Sequence, residues 1–251
     1  MIREDEMTLE LLDSYDKVIF MYSGGKDSTA DVLYLKDLGV PIEKMELWHH
    51  DIDGRSGQLM DWPVTPAYCE AFAKALGIPI YFSWRSGGFL REMLRDDQPT
   101  APVVFESPSG MVDAVRANMQ GQGTKGNEIE VSSSECKSAY QMVFAALKID
   151  VADIALKNQM RFRGIKTLVV TGERAQESPA RAKYKTFEPH RSDLRNGKKY
   201  QRHIDHWRPG HAWKEEKVWD IIKQHKINVH PAYHLGRQRL YSHQQATSFH
   251  M

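Results

Sequence analysis

Residues 18–22 are a continuous apolar run that ends in Ser23-Gly24-Gly25-Lys26-Asp27-Ser28, and from residue 27 to residue 38 the apolar positions recur at helical spacing. This change of period predicts a buried strand, a tight turn and a helix, the helix closed by Gly39 and followed by Pro41. Residues 44–49 predict a second strand. Thr65 and Pro66 read as the N-cap and first-turn pair of a helix that runs to Leu76 and stops at Gly77, and residues 79–83 predict a third strand. Strands alternating with helices imply an α/β fold with a doubly wound, mostly parallel, Rossmann-like sheet and right-handed crossovers. In such sheets ligands bind where strands end and helices begin, which is where the glycine pair falls.

Residues 95–131 break the pattern with Pro, Gly and Ser and include MQGQGTKGNE at 119–128. A connection of that length predicts a mobile loop beside the site. Helical spacing returns over 139–161, and residues 167–171 predict a fourth strand running into the polar loop GERAQESPAR. There are no internal repeats.

Composition adds bounds to this picture. The chain has 251 residues, 41% of them apolar, enough for one full core. No segment approaches a run of about 18 apolar residues, so no membrane span is expected. The acidic, amphipathic start is unlike a signal peptide, and the expected location is the cytoplasm. Cys69 and Cys136 form no CxxC pair, so neither a disulfide framework nor a self-contained zinc or iron–sulfur site is expected. The net charge of +1 conceals a basic zone, because residues 181–240 hold about 15 Lys/Arg against about 6 Asp/Glu. Such a zone predicts attraction of nucleic acid or another anionic substrate.

The turn carries its own chemistry. Gly24 and Gly25 let backbone N–H groups approach an anion, the following helix points its positive end there, and Lys26 and Ser28 add a charge and a hydroxyl. The spacing differs from GxxxxGK[ST], so a different phosphate geometry is expected. Two arginines and a serine after the fourth strand, Arg174, Arg181 and Ser178, suit a phosphate or sulfate.

SGGKDS after an apolar strand resembles the pyrophosphate loop (PP-loop) of the adenine nucleotide α-hydrolase superfamily. The chain is most similar to the branch holding phosphoadenosine phosphosulfate (PAPS) reductases, the small subunit of bacterial ATP sulfurylase and the reductase-like proteins of DNA phosphorothioation systems. The resemblance extends from Lys17 to Tyr233. TGERAQESPARAKY resembles the family's second loop, with Gly172, Arg174, Glu177, Ser178 and Arg181 at the motif positions, and the late stretch HWRPGHAWKEEKVW places Arg208, Trp213, Val218 and Trp219 at matching places.

The resemblance implies ATP with Mg²⁺, cleaved between the α- and β-phosphates. Ser23, Gly24, Gly25, Lys26, Asp27 and Ser28 would hold the phosphates, and Lys26, Arg174 and Arg181 would stabilise the transferring group, with Asp27 orienting the loop or holding the metal. Asp51 or Asp53 would bind a ribose hydroxyl or place the metal, and the backbone near Leu47 and Trp48 would read the adenine edge. Lys148 is a further phosphate contact, and Gly172, Glu177 and Ser178 complete the nucleotide set. Sulfonucleotide reductases attack with a C-terminal cysteine that this chain lacks, unless Cys136 serves; no iron–sulfur cluster is expected. The expected organisation is a nucleotide-binding domain over 1–182 and a basic C-terminal region over 183–251 packed on the same domain. Two alternatives stay open: a PAPS reductase, and a non-catalytic nucleotide-binding module that recruits a partner protein or a second copy. His49, His50 and the His203-Ile204-Asp205-His206 run suggest metal only weakly.

Overall fold

In the computed structural model, which describes residues 9–55, 59–94, 96, 98–110, 112–115 and 145–236, Val18, Ile19 and Phe20 are fully buried. They are buried from both sides because their strand lies inside an eight-stranded sheet, where a continuous apolar run is what the two covered faces require. A short helix α1 (Leu9–Asp13) precedes β1 (Lys17–Met21), α2 (Lys26–Asp37), β2 (Met45–Asp51), α3 (Thr65–Leu76), β3 (Ile80–Arg85) and α4 (Gly88–Met93). Then come β4 (Val103–Glu106), β5 (Val112–Val115), α5 (Asp150–Asn158), β6 (Lys166–Val170), β7 (Phe187–Pro189), β8 (His203–Trp207), α6 (Glu215–Gln224) and α7 (Ala232–Gly236). The strand order is β5-β4-β3-β2-β1-β6-β8-β7. Strands β3, β2, β1, β6 and β8 are mutually parallel, β4 and β7 run opposite to them, and β5 pairs antiparallel with β4 at the edge.

Alternation along β1 divides the core. Val18 and Phe20 face α2, α3 and α6, meeting Val32, Leu33, Leu35, Phe72, Val218 and Ile222. Ile19 faces the other way, with Trp48, Val169, Ile204 and the α5 residues Val151, Ala155 and Leu156. Truncating a buried leucine such as Leu33 would cost about 2–5 kcal/mol. At the second face Arg161 grips buried Glu46 with two bonds of 2.6 and 2.8 Å, lies over Phe162, and shares Glu46 with the Trp48 indole N–H.

The sheet places the site. β1 has β2 on one side and β6 on the other, so the chain reverses its winding there, and the loops leaving β1 and β6 open on the same crevice.

Three expectations change. The loop expected over 95–131 contains β4 and β5, and Ser83, Trp84 and Arg85 of β3 pair with Phe105, Val104 and Val103 of β4; residues 116–131 lie outside the described residues. The helix expected over 139–161 is a π-turn at Ala145–Ile149 that continues into α5, with residues 139–144 outside the described set. Thr65 is the first helical residue rather than the cap, and its hydroxyl donates to Asp61 Oδ1 at 2.8 Å, while Gly77 stops α3 at φ 69° as expected. The run 203–206 is β8, a strand of the sheet.

Candidate active site at the β1–α2 turn

Gly24 sits at φ +76°, and a methyl group there would stand 3.0 Å from Cys69 Sγ, so this position needs glycine twice over. The turn holds itself together. Gly25 N–H donates to Ser23 Oγ at 3.3 Å, and Ser28 Oγ donates to the Gly25 carbonyl at 3.1 Å. The N–H groups of Asp27 and Ser28, in the first turn of a twelve-residue helix, have no acceptor among the described residues. Unsatisfied donors at a helix's positive end make an anion cradle. Gly172, at the end of β6, closes the back of it, because a methyl group there would lie 2.7 Å from Ser28 N.

Cations surround the cradle, held by one carboxylate. Lys26 Nζ donates to Asp27 Oδ2 at 2.8 Å, and Arg174 Nε donates to Asp27 Oδ1. Arg174 is buried and also donates through Nη1 to Gln176 Oε1 at 2.9 Å. Glu177 caps the same loop: its Oε2 accepts the Arg174 N–H at 2.8 Å and bonds Arg181 Nη1, while Ser178 Oγ accepts the Arg181 N–H at 3.2 Å. Lys26, Asp27, Arg174, Arg181, Gly172, Glu177 and Ser178 therefore converge, although the two loops are about 150 residues apart.

One residue of this cluster escapes a reading of the sequence. Asp31, one helical turn after Asp27, is 1% exposed, and neither carboxyl oxygen makes a hydrogen bond of normal geometry, the Gly210 N–H being a nearby donor. Methyl groups on Gly172 and Gly210 would each lie 3.0 Å from one of its oxygens. Burial, and then the Asp27 charge, push its carboxyl well above the usual range against the opposing pull of the Gly210 N–H and Arg174.

Beside the turn, at the end of β2, lies a cavity of about 160 Å³ lined by His49, Asp51, Asp53, Arg55, Asp61, Trp62, Pro63 and Pro66. It adjoins the turn through Thr65, which bonds Asp61 and approaches Gly24. Asp51 Oδ1 accepts the N–H groups of Asp53 and Gly54, and the Asp53 carboxylate accepts those of Leu59, Met60 and Asp61. Arg55, at φ 64°, lies over Phe82 at 4.1 Å and lines the same cavity; nothing in its sequence context signals this. Lys148 feels both Asp61 and Arg181, and burial lowers its pKa.

Trp48 does not reach this mouth. Its ring packs on Phe162 at 5.7 Å in the opposite core, and its carbonyl already accepts the Tyr22 N–H at 2.8 Å. The Leu47 N–H is likewise spent on the Pro79 carbonyl, since β2 has neighbours on both sides.

The histidines are structural. His49 Nδ1 bonds the Tyr22 carbonyl at 3.0 Å; His50 Nδ1 bonds Ser83 Oγ at 2.6 Å, and burial lowers its pKa to about 3. His206 Nε2 bonds Thr171 Oγ1 at 2.8 Å and His203 Nε2 bonds Asp205 at 3.0 Å. Cys69 is buried, and burial pushes its thiol up. Cys136 lies outside the described residues.

The basic zone is divided. Arg195 pairs with Asp193 and Asp205, Arg191 with Asp153, and Arg208 with Glu173 and Glu188. Trp213 and Val218 are core residues, and Trp219 donates to Glu215. Lys183 and Lys185 are exposed at the turn's end of the sheet, whereas exposed Lys198 and Lys199 sit at the opposite end with Arg163, whose guanidinium covers Tyr200 at 4.2 Å.

The cradle fits a polyphosphate: free backbone donors, a glycine-lined approach and two cations. It does not fit a protein-held Mg²⁺, because the Asp27 oxygens hold Lys26 and Arg174 and the Asp53 oxygens hold three N–H groups. Among the described residues no group of three His, Cys, Asp or Glu could bind a metal ion, and no helix is long and apolar enough to cross a membrane.

No curated protein sequence matches the chain. Among solved structures, the PAPS reductase of Candida auris in its phosphate complex is 17% identical over 90% of this chain and 80% of that one, with a TM-score of 0.45. The U34-tRNA thiolase NcsA of Methanococcus maripaludis, carrying a [4Fe-4S] cluster, is 11% identical over 97% of this chain and 71% of its own, at 0.44. The Candida glabrata FMN adenylyltransferase is 12% identical over 92% of this chain, which spans 55% of it, at 0.42. Likenesses at these values carry no functional argument. The family model for the phosphoadenosine phosphosulfate reductase domain matches residues 114–242, a span that holds the Gly172–Arg181 loop, β8 and α6 and begins after the glycine turn. With just over half of its length matched, the chain belongs to the phosphoadenosine phosphosulfate reductase domain family.

Proposed function

We propose that the protein binds ATP with its β- and γ-phosphates on the β1–α2 turn and cleaves it between the α- and β-phosphates. The observation that carries this reading is the pair of acceptor-free N–H groups at Asp27 and Ser28, aimed into a crevice where Asp27 already gathers Lys26 and Arg174. In the ligand-free chain Asp27 occupies these cations. An arriving phosphate competes with Asp27 for these cations and offers the Arg174 guanidinium a bidentate partner.

Attack on the α-phosphorus by water or an acceptor oxygen forms one P–O bond as the bond to the α–β bridging oxygen breaks, and that electron pair leaves on pyrophosphate. Lys26, Arg174 and Arg181 stabilise the charge that builds there, so the contribution is positioning and electrostatics. The adenosine occupies the cavity at the end of β2, with Asp51, Asp53 and Trp62 as its walls. A magnesium ion would arrive on the phosphates and neutralise part of their charge. A nucleic-acid or sulfate acceptor fits the exposed Lys183 and Lys185 beside Arg181, and membership of the reductase family supports a role in sulfur metabolism or sulfur modification of nucleic acid.

The second reading is PAPS reduction, favoured by the family's name and disfavoured by the tail after residue 236, which carries no cysteine, and by the burial of Cys69. Incubation with α-labelled ATP, with and without sulfate or DNA, separates the two. AMP and pyrophosphate, lost in Lys26→Ala with the fold intact, supports cleavage; intact ATP together with thiol-dependent sulfite release from PAPS sinks it.

A further inference from the structure

After α6 the chain turns at Lys226, which adopts the left-handed conformation at φ 53°, and residues 228–236 run back across the mouth of the glycine turn. This strap is fastened at two points on α3. Tyr68 Oη donates to the Asn228 carbonyl at 3.0 Å, and Thr65 Oγ1 meets His230 Nε2 at 3.0 Å, with the Tyr68 and His230 rings edge to face. The Tyr233 ring then packs edge to face on Trp219 of α6, its centroid 5.4 Å away.

The strap ends on the turn itself. Lys26 N–H, the first N–H of α2, donates to Tyr233 Oη at 3.0 Å. This is one of the orphan donors that make a helix start an anion site. In the ligand-free chain it points at a neutral phenol, an acceptor much weaker than a phosphate oxygen. The Gly25 N–H is taken locally by Ser23 Oγ, whereas the Lys26 N–H is taken by a residue from a different part of the chain.

We infer that Tyr233 gates the anion turn: its hydroxyl holds the place of an anion oxygen on the Lys26 N–H, and a pyrophosphate-bearing ligand seats fully only as the phenol withdraws from it. The inference rests on the reading of the turn as an anion site. Withdrawal parts Tyr233 from Trp219, so occupancy of the turn is reported to α6, and through it to the exposed end of the strap.

The test is a titration of the full chain with inorganic pyrophosphate, comparing wild type with Tyr233→Phe, which keeps the ring and removes the hydroxyl. Removal of one competing hydrogen bond is expected to tighten binding by about 2- to 10-fold. In the wild type, pyrophosphate should also change tryptophan emission, and Trp219→Phe should abolish that change. Binding in both chains with no gain in Tyr233→Phe, or weaker binding there, overturns the gate and leaves the anion site standing, as does a wild-type emission that binding leaves unaltered. Absence of binding in both chains overturns the anion reading and the gate with it.

Discussion

Replacing Asp31 by Asn should give the protein a stability that no longer falls as pH rises. Asp31 is buried, neither of its oxygens makes a hydrogen bond of normal geometry, and the Asp27 carboxylate lies one turn away. Its folded-state pKa is raised well above the ordinary 3.8 by burial first and the Asp27 charge second. The folded chain therefore holds a proton that the unfolded chain releases near pH 4. The stabilisation is complete below that pH and is lost as pH climbs toward the folded-state value, at up to about 1.4 kcal/mol per pH unit for one proton. Asparagine has the same shape and no proton to lose. Its second amide hydrogen finds no acceptor there and costs about 1–3 kcal/mol at every pH. Asp31→Asn should thus be the less stable protein near pH 4 and should gain on wild type as the pH rises from 5 to 7. Urea unfolding of both chains at pH 4, 5, 6 and 7 reads the difference directly. A difference flat with pH, or one moving in favour of wild type, would show that Asp31 is ionised beneath the turn and would refute the argument.

Arg161→Ala should destabilise the fold by about 3 kcal/mol, because it leaves buried Glu46 with only the Trp48 indole and a longer, 3.4 Å ion pair to Lys17, and urea titration at neutral pH measures it. Below neutrality the buried histidines dominate. Burial lowers His50 to about 3 and His190 to about 4, so their contribution is full above pH 6.5 and is lost as pH falls through those values. His190→Gln should flatten the thermal-stability profile between pH 6.5 and pH 4, and an unchanged slope counts against the assignment.

The β1–turn–α2 unit was legible because it is local: a period change, two glycines and a helix start within twenty residues. The second loop was legible from its residue types, and its meeting with the first followed from the rule that ligands sit where winding reverses. β8 was not legible, since its polar residues are neutralised by distant partners. Asp205 accepts from Tyr15 Oη at 2.8 Å and His206 bonds Thr171, neither visible in the local pattern. β4 and β5 are four residues each and pair antiparallel at an edge, too short to show a period. The backbone groups expected to read an adenine edge, the Leu47 N–H and the Trp48 carbonyl, are spent on the Pro79 carbonyl and the Tyr22 N–H, partners that the local sequence pattern does not show. Asp31 looks like a surface residue of α2 until Gly172 and Gly210 arrive from far along the chain.

The pairing of β1 with β6 has a consequence during synthesis. Val18 finds its partner Leu168 only after some 150 further residues have been made. Until then β1 can pair with β2 alone, and its other side is a bare apolar edge, the kind of surface that invites association between chains. A ribosome-bound fragment that stops short of β6 carries the whole glycine turn but none of Arg174, Gly172 or Gly210. Under the proposed reading of the turn, such a fragment should hold pyrophosphate more weakly than the full chain.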